Sequence, residues 1–276
     1  MTEEDRTALE EIDFRLRLLL PEEYQDSYET LEPVPMRAAG LTFDADGRVA
    51  WDRIWGSFCD LAMAGGPPHK GTLLGPAMPA EIAVARARYD EVLAETVRGV
   101  HMVTRLLTSP APTPGWIRVI CHSEEMAGWL LRAITMENVA VLSHGVAVDL
   151  PVAPHFRLDK EIKNVVTVIA KTCHYWIGHM PAAQHGAIAD LFATLERRTP
   201  LVAPVDGWRG VPCTDARRAI WCMRALVAHN ILARREEDTL FVPINDAHRC
   251  RVSRVLADIE RLAALESAKF EVRSSK

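Results

Sequence analysis

Apolar and polar positions alternate in short runs and recur at helical spacing in longer ones, and the two patterns follow each other in a fixed order. Trp116–Cys121 and Trp208–Cys213 are short apolar runs that predict strands. Ser123 and Asp215 then offer side-chain oxygens to the free amides of a helix start. The helix predicted over Glu124–Glu137 gathers Trp129, Leu130, Ala133, Ile134 and Met136 towards one side, and Ala216–His229 does the same with Trp221, Cys222, Ala225 and Leu226. Asn138 and Asn230, residues that tolerate the left-handed conformation of a helix exit, follow. Each is succeeded by a predicted hairpin: Val139–Leu142 with Val146–Val152, and Ile231–Ala233 with Thr239–Ile244. A closing helix is predicted over Leu158–Ile177 in the first stretch and Ala247–Ala268 in the second.

The parallel is also one of residue identity. Displacing the sequence by 92 positions lays Pro112–Pro151 on Pro204–Pro243 without a gap, with eleven identities in 40 positions, two of them tryptophan pairs. The expected fold is therefore α/β of the α+β type. It is built as tandem β-α-β-β-α units, the ferredoxin-like split motif, with helices on one face of an antiparallel or mixed sheet. The expected divisions are 1–108, 109–198 and 199–276, with the proline-rich Ser109–Pro114 as the main linker and Thr199–Gly207 as a second boundary.

The first third is less regular. Phe14, Leu16, Leu18 and Leu20 alternate with Arg15 and Arg17, which predicts a strand ending at Pro21. Leu41–Phe43 and Arg48–Trp51 flank an Asp-Ala-Asp-Gly turn, a helix is predicted over Asp52–Ala64, and a longer one over Ala80–Leu107. Setting Trp55 on Trp129 brings Gly71 onto Gly145 and Leu74 onto Val148, a hint of a third, diverged copy.

Composition narrows the class. With 49% hydrophobic and 25% charged residues the 276-residue chain is ordinary globular material, with ample length for a core. A net charge of −5 argues against a nucleic-acid coat or a polybasic membrane binder. Met1–Ile12 carries five acids and one arginine, the reverse of a targeting segment, and no apolar run approaches the ~20 residues that span a bilayer. The six cysteines, Cys59, Cys121, Cys173, Cys213, Cys222 and Cys250, are scattered, as for reduced thiols, and a cytoplasmic location is expected.

Four stretches hold candidate chemistry. In the loop Gly65–Gly71, the glycines Gly65, Gly66 and Gly71 would let backbone amides approach a ligand, while His69 and Lys70 would neutralise an anion. On the closing helix Leu158–Ile177, Lys160, Lys163, Thr167, Lys171 and His174 fall in one line; three lysines there either cradle an anion or form a solvated face. His174, His179 and His185 crowd together next to Cys173, but His174 and His179 are five apart where a helical ligand pair needs three or four, so no metal is expected. Arg217, Arg218, Arg224, Arg234 and Arg235 form a basic helix-hairpin that would suit DNA, against the overall charge.

No nucleophile elbow, metalloprotease helix, phosphate-binding P-loop or dinucleotide fingerprint is present. The leading expectation is a non-catalytic binding or accessory protein that engages a protein partner or a small anionic ligand, with Gly65, Gly66, His69, Lys70, Gly71, Lys171 and His174 as the ligand-binding set. The alternative is an enzyme using the same histidines and lysines across an interdomain cleft, and the third is nucleic-acid binding through the C-terminal arginines. No cofactor, and no oligomeric state, is indicated.

Overall fold

The structure, a computed structural model, describes residues 1–25, 40–53 and 60–274. Among them it is a mixed α+β chain with eight α-helices and two small antiparallel sheets, one of four strands and one of three. It divides into two units, one of Thr30–His185 and one of Met1–Glu29 with Gly186–Lys276.

In the first unit, α2 (Pro79–Val84) and α3 (Arg86–Thr104) occupy the stretch predicted as one long helix. Ala85, at φ −121° and ψ 41°, breaks it. Strand β1 (Leu107–Pro110) follows and pairs antiparallel with β2 (Trp116–Ile120). The expected linker at Ser109–Pro114 is thus a strand and a turn of the sheet. Its prolines are tolerated because β1 is an edge strand with one unladdered side.

From β2 the chain enters α4 (Glu124–Met136), capped by the Ser123 hydroxyl, which accepts from the Met126 amide at 3.3 Å. The hairpin β3 (Leu142–His144) and β4 (Ala147–Pro151) comes next, and the strand order is β1-β2-β4-β3. Beyond it, a π-helical turn over Leu158–Ile162 leads into α5 (Lys163–His179). The core lies between helices and sheet: Trp129 of α4 stands 5.6 Å from Trp176 of α5. Helix α3 approaches α5 at Gly99, where a Cβ would meet Val166 at 2.8 Å and Trp51 at 3.0 Å.

In the second unit, α1 (Glu3–Leu19) covers the segment expected as a strand. Its buried apolar residues are Ile12, Leu16 and Leu19, at helical steps, while Phe14 is 65% exposed. A capping box closed by Thr2 and Asp5 commits the start to helix, so the apparent two-residue alternation was coincidental. Helix α6 (Ala182–Arg198) leads to β5 (Trp208–Pro212). There follow α7 (Ala216–Ala228), capped by Asp215, then β6 (Arg234–Glu236), β7 (Thr239–Pro243) and α8 (Arg249–Ser274). The strand order is β5-β7-β6. The Arg15 guanidinium donates to the Ala228 carbonyl at 3.0 Å, tying α1 to the exit of α7.

The bounds of β2, α4, β3 and β4 each recur 92 residues later as those of β5, α7, β6 and β7. The backbone repeats in detail. Asn138 and Asn230 take φ of 59° and 60°, Gly115 and Gly207 take 90° and 104°, and Gly145 and Glu237 take 59° and 51° in the two hairpin turns. One correspondence has a different offset. Leu74 forms a parallel bridge to Val139, as Val202 does to Ile231. The amide of Ala77 donates to Val152, as that of Val205 does to Ile244. These pairs are 128 residues apart rather than 92, and the difference of 36 is the stretch carrying α2, α3 and β1. Leu74 therefore does not take the position of Val148, and Trp55, the other anchor of that alignment, lies outside the described residues. So does the middle, 54–59, of the helix expected over Asp52–Ala64, whose described ends are 3-10 turns at Trp51–Arg53 and Ala62–Ala64.

No helix among the described residues is long and apolar enough to cross a membrane.

Candidate functional site

The glycine loop is shaped by its own backbone. After the 3-10 turn Ala62–Ala64, Gly65 adopts φ 102° and its amide donates to the Ala62 carbonyl at 3.1 Å. Gly66 donates to Leu61 at 2.9 Å and passes so close to residue 60 that a Cβ would lie 2.3 Å from the Asp60 carbonyl oxygen. Gly71 is different: it is exposed, with open space where a side chain would go. The loop's carbonyl at Lys70 accepts from the Asn138 side-chain amide at 2.9 Å, while the Lys70 amide donates to the Glu137 carbonyl at 3.3 Å. It is thereby fastened to the exit of α4.

The Glu137 carboxylate is the centre of this fastening. Its Oε1 accepts the Ala62 amide at 2.9 Å and its Oε2 the His69 amide at 3.0 Å. Lys171 Nζ of α5 lies 2.8 Å from Oε1, and both side chains are fully buried. Lys171 also reaches the Asp60 carbonyl at 3.5 Å. Two amides and an ammonium supply what a buried carboxylate needs, so the charge is stable only with all of them in place.

Around this pair the loop carries two more polar groups. Lys70 Nζ stands 3.8 Å from Glu161 Oε1 of the π-helical turn, with both side chains largely buried. Burial acts to raise the Glu161 carboxyl, but hydrogen bonds from backbone amides and the charges of Lys70 and Arg157 hold it below its ordinary value. His69 is the unusual member. Its Nδ1 is buried with no hydrogen-bond partner among the described residues. Burial, then the charges of Lys171, Lys163 and Lys70, push its pKa down to about 3, against a hydrogen bond with the Asn164 side chain that opposes the shift. At neutral pH this ring is uncharged in a field of three lysines.

Of the predicted set, His69, Lys70 and Lys171 meet at Glu137, and Gly65 and Gly66 shape the loop that brings them there, all within the unit Thr30–His185 rather than between domains. The polar line on α5 is not a uniform solvated face. Lys160 is exposed, Lys163 and Thr167 are half-buried, and Lys171 is covered by the loop. His174, one turn further, is exposed and turns to His179 instead. Glu137, Glu161 and Asn164 were missed. A signal existed for Glu137: an acid at a helix C-terminus opposes the helix dipole, and the equivalent position in the second unit is His229.

Of the five arginines of the basic helix-hairpin, Arg217 is exposed and Arg218 half-buried on α7, and the other three turn inward. Arg224, Arg234 and Arg235 are buried, and the Arg234 guanidinium lies 4.0 Å from the Phe241 ring centre and 5.3 Å from that of Trp208. The thiols of Cys121 and Cys222 are pushed up to about 12 by burial, and that of Cys173 is raised for the same reason, which disqualifies them as nucleophiles. Compared with protein-family models, with curated proteins and with solved structures, the chain finds no match in any of the three.

Proposed function

We propose that this protein is a non-catalytic binding protein built on a duplicated, ferredoxin-like α+β unit, and that its glycine loop receives a small anionic ligand at His69. The observation that carries this reading is the buried Nδ1 of His69, without a hydrogen-bond partner among the described residues, beside Lys171, Lys163 and Lys70. A buried polar atom without a partner costs about 1–3 kcal/mol, a cost that a ligand oxygen at this position would remove. Lys171 and Lys70 have carboxylate partners, so their residual positive potential attracts an anion without binding it permanently. The scattered thiols favour a cytoplasmic setting.

Catalysis by the same groups is the weaker reading. A general base works best with a pKa near the operating pH, and an imidazole near 3 accepts a proton poorly at neutrality. Lys171 is locked to Glu137 and has no proton to exchange without uncovering a buried charge. Nucleic-acid binding is weaker still, because Arg224, Arg234 and Arg235 are buried, which leaves only Arg217 and Arg218 of the five to reach phosphates.

The test is a titration of the full chain with inorganic phosphate and, separately, acetate, followed by the imidazole NMR signals and by calorimetry. Binding that moves the His69 signals and weakens at least about tenfold in a folded His69→Ala protein supports the reading. Equal binding by His69→Ala, or no binding of either anion at millimolar concentration, overturns it.

A further inference from the structure

Helix α5 ends on a pair of histidines that takes no part in the glycine-loop cluster. The Nε2 atoms of His174 and His179 lie 3.0 Å apart, with the ring planes inclined at 67°. They are five positions apart, a spacing that would not bring two side chains together within a regular helix. They meet because His179 is the last residue of α5: the chain leaves the helix at Met180, at φ −118° and ψ 113°. His174 is exposed and His179 half-buried, so solvent reaches the pair.

We propose that His174 and His179 together bind one divalent transition-metal ion of tetragonal preference, copper(II) foremost. Imidazole nitrogens bind such ions at roughly 2.0–2.1 Å. Two nitrogens 3.0 Å apart at that bond length subtend about 91–97° at the metal. A tetrahedral centre would need the nitrogens about 3.3–3.4 Å apart at the same bond length. A separation of this size suits adjacent corners of a square-planar or tetragonal ion, the geometry of copper(II) and nickel(II), with water in the remaining positions. In the absence of metal one Nε2 donates a hydrogen bond to the other; with metal both rings turn lone pairs to the ion and keep their protons on Nδ1. The carbonyl end of the helix adds negative potential that favours a cation there. His185 is not a third ligand: its Nε2 is bonded to the Trp176 carbonyl at 2.9 Å and its ring is stacked on Trp176 at 4.1 Å.

The experiment is titration of the full-length protein with copper(II), read by calorimetry, by electron paramagnetic resonance, and by paramagnetic broadening of the histidine NMR signals. The expected result is one ion per chain with an axial spectrum and nitrogen coupling. The signals of His174 and His179 should broaden first. Affinity should fall at least about tenfold in His174→Gln and in His179→Gln, and stay unchanged in His185→Gln. Variants that bind as the unmodified protein does, broadening centred on other histidines, or a spectrum without nitrogen coupling would each overturn the assignment. The broadening measurement needs no variant, so a substitution that impaired folding would not leave the question open. Neither outcome bears on His69, which belongs to the separate loop cluster.

Discussion

Lys171 and Glu137 form a fully buried ion pair, 2.8 Å from Nζ to Oε1, that joins α5 to the exit of α4 and holds the glycine loop by the His69 amide and the turn before it by the Ala62 amide. Removing one partner leaves the other charged and dry. Lys171→Met is expected to destabilise the protein by about 3–5 kcal/mol in urea denaturation. The double variant Lys171→Met/Glu137→Leu should recover only part of this, because the amides of Ala62 and His69 then lose their acceptor. A Lys171→Met protein as stable as the unmodified one would show that the pair is not buried in solution.

His69 makes stability depend on pH, with a definite sign. Its folded-state pKa of about 3 lies below the ordinary 6.5, so the unfolded chain takes up a proton first as pH falls. The contribution is fully present above about pH 6.5 and is lost progressively towards pH 3, by at most about 1.4 kcal/mol per pH unit. Denaturation curves between pH 7 and pH 4 should therefore be shallower in pH for His69→Gln than for the unmodified protein. Identical slopes would mean that the ring is solvated.

The two glycines of the loop answer differently to the same change. Gly66→Ala drives a Cβ to 2.3 Å from a backbone oxygen that cannot rotate away, so loss of folding or of more than about 2 kcal/mol is expected. Gly71→Ala meets nothing within 4 Å and should fall within about 0.5 kcal/mol of the parent. Thermal melts of the two variants side by side decide it.

Asn138 and Asn230 combine a left-handed backbone with a side-chain amide that donates to a loop carbonyl, Lys70 in one unit at 2.9 Å and Thr199 in the other at 2.8 Å. Glycine keeps the backbone and loses the hydrogen bond, whereas alanine loses both. At each position alanine should cost about 1–2 kcal/mol more than glycine. Equal costs at either site would show that the amide alone matters there.

Thiol reactivity should follow burial. Iodoacetamide is expected to modify the exposed Cys250 long before Cys121, Cys173 or Cys222 in the native protein, and mass mapping of a time course would show the order.

What could be learned from the sequence alone was whatever depends on neighbours along the chain. The caps Ser123 and Asp215, the apolar faces of α4 and α7, the left-handed Asn138 and Asn230 and the hairpins after them are local consequences of residue type, and they repeat because the residues do. Local pattern misled where two periods were superposed: Phe14–Leu20 alternates like a strand, yet Ile12, Leu16 and Leu19 pack as a helix because Thr2 and Asp5 start one. Tertiary structure alone decided the rest. Leu74 stands where Val202 does only because two segments 65 residues apart in one unit meet at a bridge, which no offset of 92 could reveal. The candidate site depends on the same kind of closure. Lys171 looked like one of a solvated row of lysines, and it is buried because Glu137, distant in sequence and set against the dipole of its own helix, needs a positive charge in a place that water does not reach.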